Sequence, residues 1–366
     1  MKATRLALVA FLCLLVGCST TSKVTTPMSA VRAYNGTASV GDFLTISIDP
    51  NAQTITYKNY TNGETGTVPY TVNSNGTYAI SDPNGNLLAG YEVPGFVMMI
   101  EAANAGPNSD QQALITAIES VPATIGTFAG QDFNYVQFRT AAGGTEIGTI
   151  TIDAQGNVTH DGYSPFEVFA GNAFNGGSFP ATSVTEDPSG DFFQITDSGG
   201  SNNYAFGTPS GFFAVDSGNG TILSLPKAAT ASFDATMAGT YTALYYEKAD
   251  AQTGQGNIET GTPSEGQATI TISAGGVMTI TDSQSNVMAT GTLAAVADTA
   301  YLYNGTSSEL SDPMNGMFTI RIATANTQQD LFVSFQGNAV VFSSFETGLP
   351  IAGYAPYTYF YGVGLK

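Results

Sequence analysis

The chain has 366 residues, an apolar content of 42% and a formal net charge of −19. That length suffices for two or three ordinary domains, and the apolar and aromatic content is too high for a disordered acidic tail. The charge repels nucleic acid and anionic head groups, so neither is an expected partner. One histidine and two cysteines leave no material for multi-histidine zinc sites, cysteine clusters or bis-histidine haem.

In chain order the first element is an export signal. Lys2 and Arg5 give a basic start, and Leu6 to Val16 is a continuous apolar run of 11 residues. A helix of that length is too short for a hydrocarbon core of about 30 Å but suits a signal peptide. The run ends in Leu15-Val16-Gly17-Cys18. An aliphatic residue, a tolerant position, a small residue and a cysteine resemble the lipobox of bacterial lipoproteins. The resemblance implies cleavage after Gly17, acylation of Cys18 and permanent attachment to a membrane. Cys13 follows the bulky Leu12 and does not fit. Ser19 after the cysteine, where aspartate tends to retain such lipoproteins at the inner membrane, is compatible with the expected outer-membrane location, on its periplasmic or surface face. Residues 1–17 are therefore read as signal peptide and 18–29, small and polar with one proline, as anchor and tether. Loss of Lys2 and Arg5 leaves 8 basic against 29 acidic residues, a net charge of −21. Cys18 is then the last cysteine in the chain, so no intrachain disulfide is expected.

The body alternates apolar and polar residues in short runs. Leu44, Ile46 and Ile48 share one face of Phe43–Asp49; Ile150 and Ile152 do the same, as do Ile270 and Ile272. In 317–323 the pattern places Phe318, Ile320 and Ile322 inward, with Thr319 and Arg321 outward. This is the period of strands with one wet face. Turn chemistry separates the runs at Asp82-Pro-Asn-Gly-Asn, Asp153-Ala-Gln-Gly-Asn, Asp216-Ser-Gly-Asn-Gly and Ala274-Gly-Gly. Residues 113–118 could open a helix behind a Ser109/Gln112 capping box. A strand is favoured, because the segment matches the strand-like Leu331-Phe-Val-Ser-Phe.

Three elements recur. Ile-Ser-Ile-Asp (46–49), Ile-Thr-Ile-Asp (150–153) and Ile-Thr-Ile-Ser (270–273) lie 104 and 120 residues apart. Glycine-led apolar runs begin at Gly95, Gly211 and Gly316. An Asp…Asn…Gly turn recurs as Asp82/Asn86/Gly90, Asp197/Asn202/Gly207 and Asp282/Asn286/Gly291, out of order in its last copy. Repeats of this length are duplicated domains rather than solenoid units. The expected fold is all-β, with two or three related antiparallel sandwich or barrel modules in tandem at 30–126, 127–236 and 237–366. One continuous sandwich or propeller is the alternative.

Candidate chemistry is sparse. His160 beside Asp161 lacks a nucleophile elbow and reads as a strand residue entering a turn. Glu186, Asp187 and Asp191, with Asp197 beyond, could form a paired-carboxylate hydrolase centre. Pro188 and Gly190 favour a solvated turn instead. Asp82-Pro-Asn-Gly-Asn starts like a calcium loop but has Leu87 where glycine is needed and Val93 where glutamate is needed, so the metal question stays open. Aromatic doublets at Phe192-Phe193, Phe212-Phe213 and Tyr245-Tyr246, and the cluster Tyr357–Tyr361, could stack sugars or pack between modules. No catalytic residue and no cofactor is assigned, and Cys18 is the one site residue. The reading is a lipid-anchored envelope protein that binds, adheres or scaffolds, partnered by its membrane and by envelope proteins or glycans. The alternatives are a β-barrel carrier of a small apolar ligand and a carboxylate hydrolase.

Overall fold

The structure is a computed structural model. It describes residues 30–366 except 83–84, 106–110, 139–144, 164–176, 197–199, 201, 209–210, 219, 251–262, 297–313, 324–327 and 347–356. Cys18, the tether and Asp197 lie outside the described residues.

The body is all-β, with three barrel-like sheets in tandem. The first is a closed up-and-down barrel of β1 (Arg32–Ala38), β2 (Phe43–Asp49), β3 (Thr54–Asn59), β4 (Thr65–Val72), β5 (Tyr78–Ser81), β6 (Leu87–Val93), β7 (Val97–Ala105) and β8 (Gln111–Glu119). Each strand pairs with the next, and β8 closes on β1 with Ala117 opposite Gly36. The second closes in the same way from β9 (Gln131–Phe138), β10 (Thr145–Ile152), β11 (Val158–Tyr163), β12 (Gly177–Glu186), β13 (Phe193–Thr196), β14 (Asn202–Gly207), β15 (Phe213–Asp216) and β16 (Thr221–Pro226). The third sheet contains β17 (Gly239–Asp250), β18 (Pro263–Ile272), β19 (Val277–Asp282), β20 (Val287–Thr292), β21 (Ala294–Ala295), β22 (Met317–Ala323), β23 (Gln328–Gln336), β24 (Ala339–Glu346) and β25 (Tyr357–Leu365). Its aromatic last strand, β25, lies between β17 and β24 and joins the two halves of the sheet.

Local chemistry explains the strands and turns. Leu44, Ile46 and Ile48 are buried on one face of β2, as are Ile150 and Ile152 on β10 and Ile270 and Ile272 on β18. Residues 113–118 lie within β8. At the β10–β11 turn the Asp153 carboxylate accepts hydrogen bonds from the backbone N–H and the side-chain amide of Asn157. Asp82 and Asn86 repeat this at β5–β6, and Asp282 and Asn286 at β19–β20. The bonds to Asn157 and Asn286 hold Asp153 and Asp282 below the usual carboxylate range. The residue before each asparagine has positive φ: Gly85 at 84°, Gly156 at 86° and Ser285 at 68°. Only the third turn holds a side chain in that conformation.

The repeat elements fall on matching strands in the first two barrels. The Ile-x-Ile element lies on the second strand of each (β2, β10), and the glycine-led run enters the seventh (β7, β15). In the third sheet the first element is again on the second strand, β18. Gly316 leads into β22, three strands before the last, so the equivalence of this element stops at the second barrel.

Apolar packing is arranged in four clusters. Three fill the sheets' own interiors. The largest lies between them. It joins Phe43, Met99 and Leu114 of the first barrel with Phe138, Phe192, Phe206 and Phe212 of the second, and with Tyr246, Phe332 and Tyr361 of the third. The first and second barrels meet at β1 and β15. The second meets the third where β9, β10 and β16 face β23 and β24, and the first meets the third where β6 and β7 face β17. Tyr361 sits where all three converge. Its ring stacks on Phe138 at 4.9 Å, and its buried hydroxyl is close enough to Thr116 of β8 to feel it electrostatically. Burial pushes that phenol well above its ordinary range.

This junction corrects one expectation and decides another in favour of packing between modules. Thr319 is buried, not outward in water, because the outer face of β22 packs into the junction alongside Met317. The aromatic doublets put neither ring in water. Phe193, Phe213 and Tyr245 point into their own sheets, while Phe192, Phe212 and Tyr246 point into the junction. Alternation along a strand still sends neighbours to opposite faces, but here both faces are dry. Outer faces away from the junction are polar, as in the exposed Thr56–Thr67 pair.

Candidate functional site

The two closed barrels have the same strand number and different interiors. Eight strands enclose a space that side chains can just fill, or that can hold one small ligand. In the second barrel the filling is aromatic: Phe128, Phe133, Tyr135, Phe193 and Phe213 pack together. Between residues 30 and 126 the only phenylalanines are Phe43 and Phe96, and both pack against the junction. The first barrel instead carries tyrosines at one end of its lumen and aliphatic chains at the other.

One end of that lumen is plugged. Arg32 donates from Nε and Nη2 to the two Glu92 carboxylate oxygens at 2.6 and 2.8 Å. The hydroxyls of Tyr34 and Tyr78 donate to the same carboxylate. The Tyr70 ring packs on Tyr78 at 4.8 Å. Burial pushes both the Tyr34 and the Tyr78 phenols well up, and the Glu92 charge reinforces the shift. The Glu92 bond keeps the Arg32 guanidinium firmly protonated. The plug sits at the end carrying the β2–β3, β4–β5 and β6–β7 turns.

Among the described residues the other end is open. A cavity of about 310 Å³ occupies the lumen there. Its walls are aliphatic, among them Leu44, Ile46, Ile55, Val68, Ile80 and Ile100. They come from β2, β3, β4, β5 and β7 at alternate positions, which is why the strand pattern aims them inward. The mouth is polar: Asp42, Glu64 and Asp82 with Tyr57 and the amides Asn59 and Asn62. The exposed Asn62 and Glu64 bring the lining out to solvent, and Glu64 accepts a hydrogen bond from the Tyr57 hydroxyl. Burial followed by this bond pushes Tyr57 up to about 12.

The residues singled out from sequence lie elsewhere. Glu186 accepts a hydrogen bond from the Ile125 N–H, Asp187 closes its turn onto the Ser189 N–H, and the Asp191 backbone carbonyl accepts from Asn35 of β1. These acids shape a turn at the contact of the first two barrels. His160 is on β11, paired with Ile150 and Phe179. The three carboxylates are not among the residues that line the cavity, and the His160 side chain lies outside the described residues. Sequence reasoning did not locate the lumen, although the lack of phenylalanine inside 30–126 was available as a signal.

Searches with family models and against curated proteins match nothing. Among solved structures, the chain is similar to transferrin binding protein B, a vaccine antigen, from Haemophilus parasuis Hp5 in a double-mutant form. Identity is 8% and the TM-score 0.22, over 92% of this chain and 76% of that one. Isotype 1 transferrin binding protein B from serogroup B Neisseria meningitidis gives 13% and 0.22, over 89% of this chain and 65% of that one. A protein of unknown function from Nostoc punctiforme gives 8% and 0.19, over 92% and 95%. Likeness this slight carries no functional argument.

Proposed function

We propose that this is a lipid-anchored binding protein of the cell envelope that holds a small, largely apolar ligand in the lumen of its first barrel. The observation that carries the reading is the aliphatic cavity of the first barrel, open at one end among the described residues, where the described interior of the second barrel is a packed aromatic cluster. A void of that size leaves wall atoms without packing partners, a cost a ligand would offset. About ten methylene-sized groups fit, taking roughly 30 Å³ for each. The expected result is saturable binding of 1-octanol by calorimetry. The double variant Ile55→Phe/Ile100→Phe, which gives this lumen the filling of its neighbour, should lose that binding while remaining folded. Equal octanol binding by both proteins would end the reading.

The anchor rests on the resemblance at Leu15–Cys18. Several acyl chains at about 0.8 kcal/mol per buried methylene would make attachment effectively permanent. Cys18→Ser should move the protein from the membrane to the soluble fraction, without incorporated palmitate. Continued membrane retention of the variant would contradict the anchor.

A further inference from the structure

We infer that the first barrel selects an amphipathic cation: an alkyl or aryl amine whose apolar body occupies the lumen and whose ammonium sits at the mouth. This rests on the pocket reading above and adds the chemical class of the ligand.

The sign of charge at the cavity is one-sided. Of the side chains that the strand alternation turns into it, Asp42, Glu64 and Asp82 are acidic and none is basic; Glu101 borders the cavity but alternates with Ile100 and Ala102 and so lies on the outer face. Between residues 30 and 126 the only basic residues are Arg32 and Lys58. Arg32 is bound to Glu92 at the plugged end. Lys58 alternates with Tyr57 and Asn59, which line the cavity, and therefore projects from the outer face, with Nζ 3.9 Å from the centre of the Tyr60 ring. The aliphatic wall beneath the mouth is a low-dielectric surface, so the field of the carboxylates is concentrated there instead of being dispersed in water. Asp42 is itself only 3% exposed.

The geometry separates three ligand classes of equal length. A fatty acid would bring its carboxylate against three acids and is repelled. An alcohol gains the apolar burial but no charge interaction. A protonated amine gains both, with Asn59, Asn62 and the Tyr57 hydroxyl as further oxygen acceptors around the ammonium. The mouth is wide enough in polar groups to satisfy an ammonium's three donors.

The experiment compares n-octylamine, 1-octanol and sodium octanoate at pH 7 on the full chain by calorimetry. Octylamine is expected to bind at least tenfold more tightly than octanol, with octanoate weaker than both. The amine's advantage should shrink as salt is raised. In Glu64→Gln/Asp82→Asn, a change confined to the mouth, it should fall to within threefold. Amine binding must also disappear in Ile55→Phe/Ile100→Phe, which keeps every surface charge; persistence there would assign it to the acidic surface at large and overturn the inference. Octanol and octylamine binding alike would overturn the cation selectivity while leaving the pocket. Failure of all three ligands would overturn the pocket itself.

Discussion

Glu92→Ala should lower the stability of the protein by about 3–5 kcal/mol, the usual result of removing one partner from a buried ion pair. Glu92 has a side chain only 1% exposed, and its two oxygens accept from Arg32 Nε and Nη2, Tyr34 and Tyr78. Truncation leaves three donors pointing at a void, one of them a guanidinium that cannot give up its proton. Tyr78→Phe is the informative companion. It removes a single hydrogen bond to a charged group and should cost about 1.5–3 kcal/mol. Urea unfolding followed by tyrosine fluorescence reads both. A Glu92→Ala loss below that of Tyr78→Phe would mean that the carboxylate is better solvated than its burial indicates.

The plug also bears on the cavity. Arg32, Tyr34 and Tyr78 fill the lumen's lower half through polar contacts with one carboxylate, so the aliphatic upper half has no aromatic stack to lean on. Octanol binding that survives in Glu92→Ala would locate the pocket above the plug and independent of it.

Strands and turns were readable because each is written within a few residues. The alternation of Leu44, Ile46 and Ile48, and the Asp-x-x-x-Asn turns, depend only on pleat geometry and local hydrogen bonds. What covers an outer face is not local. Phe192 and Phe193 look equivalent in sequence, yet one packs in the three-way junction and the other inside a barrel. Period-2 patterning records that Thr319 is polar, not that β22 turns it toward another sheet. The cavity is still less local. Ile55 and Ile100 are ordinary core residues one strand at a time, and the void emerges only when the strands are found to bring aliphatic chains together at one end of the lumen. Glu92 gave no signal either, because its three donors lie 14 to 60 residues away. Glu186, Asp187 and Asp191 drew notice through proximity in sequence, which brings turn residues together more readily than it builds a cleft.

Asp216→Asn should stabilise the protein by about 4 kcal/mol at pH 8 and by little at pH 3. Asp216 is 2% exposed at the end of β15, on the outer face turned toward the first barrel. Burial pushes its carboxyl from 3.8 up to about 7; the Gly218 N–H opposes this, and the negative charge of Asp42 adds to it. Tyr204, opposite it on β14, is pushed up partly by the same charge. The sign follows from proton counting. Below pH 3 the carboxyl is protonated in both folded and unfolded chains and contributes nothing. Between about 4 and 7 the unfolded chain ionises while the folded one holds its proton, so stability falls as pH rises. Above 7 the loss is complete; the gap of about three pH units at about 1.4 kcal/mol each gives the figure of about 4 kcal/mol. An amide has no proton to lose, so the variant's stability should lack this fall. The difference between variant and wild type should open through that window and stay flat above it. A difference that is the same at pH 3 and pH 8 would show that Asp216 is ionised in the folded protein and neutralised there by a partner. In that case the contact between the first two barrels would be held by charge and not merely tolerant of a buried acid.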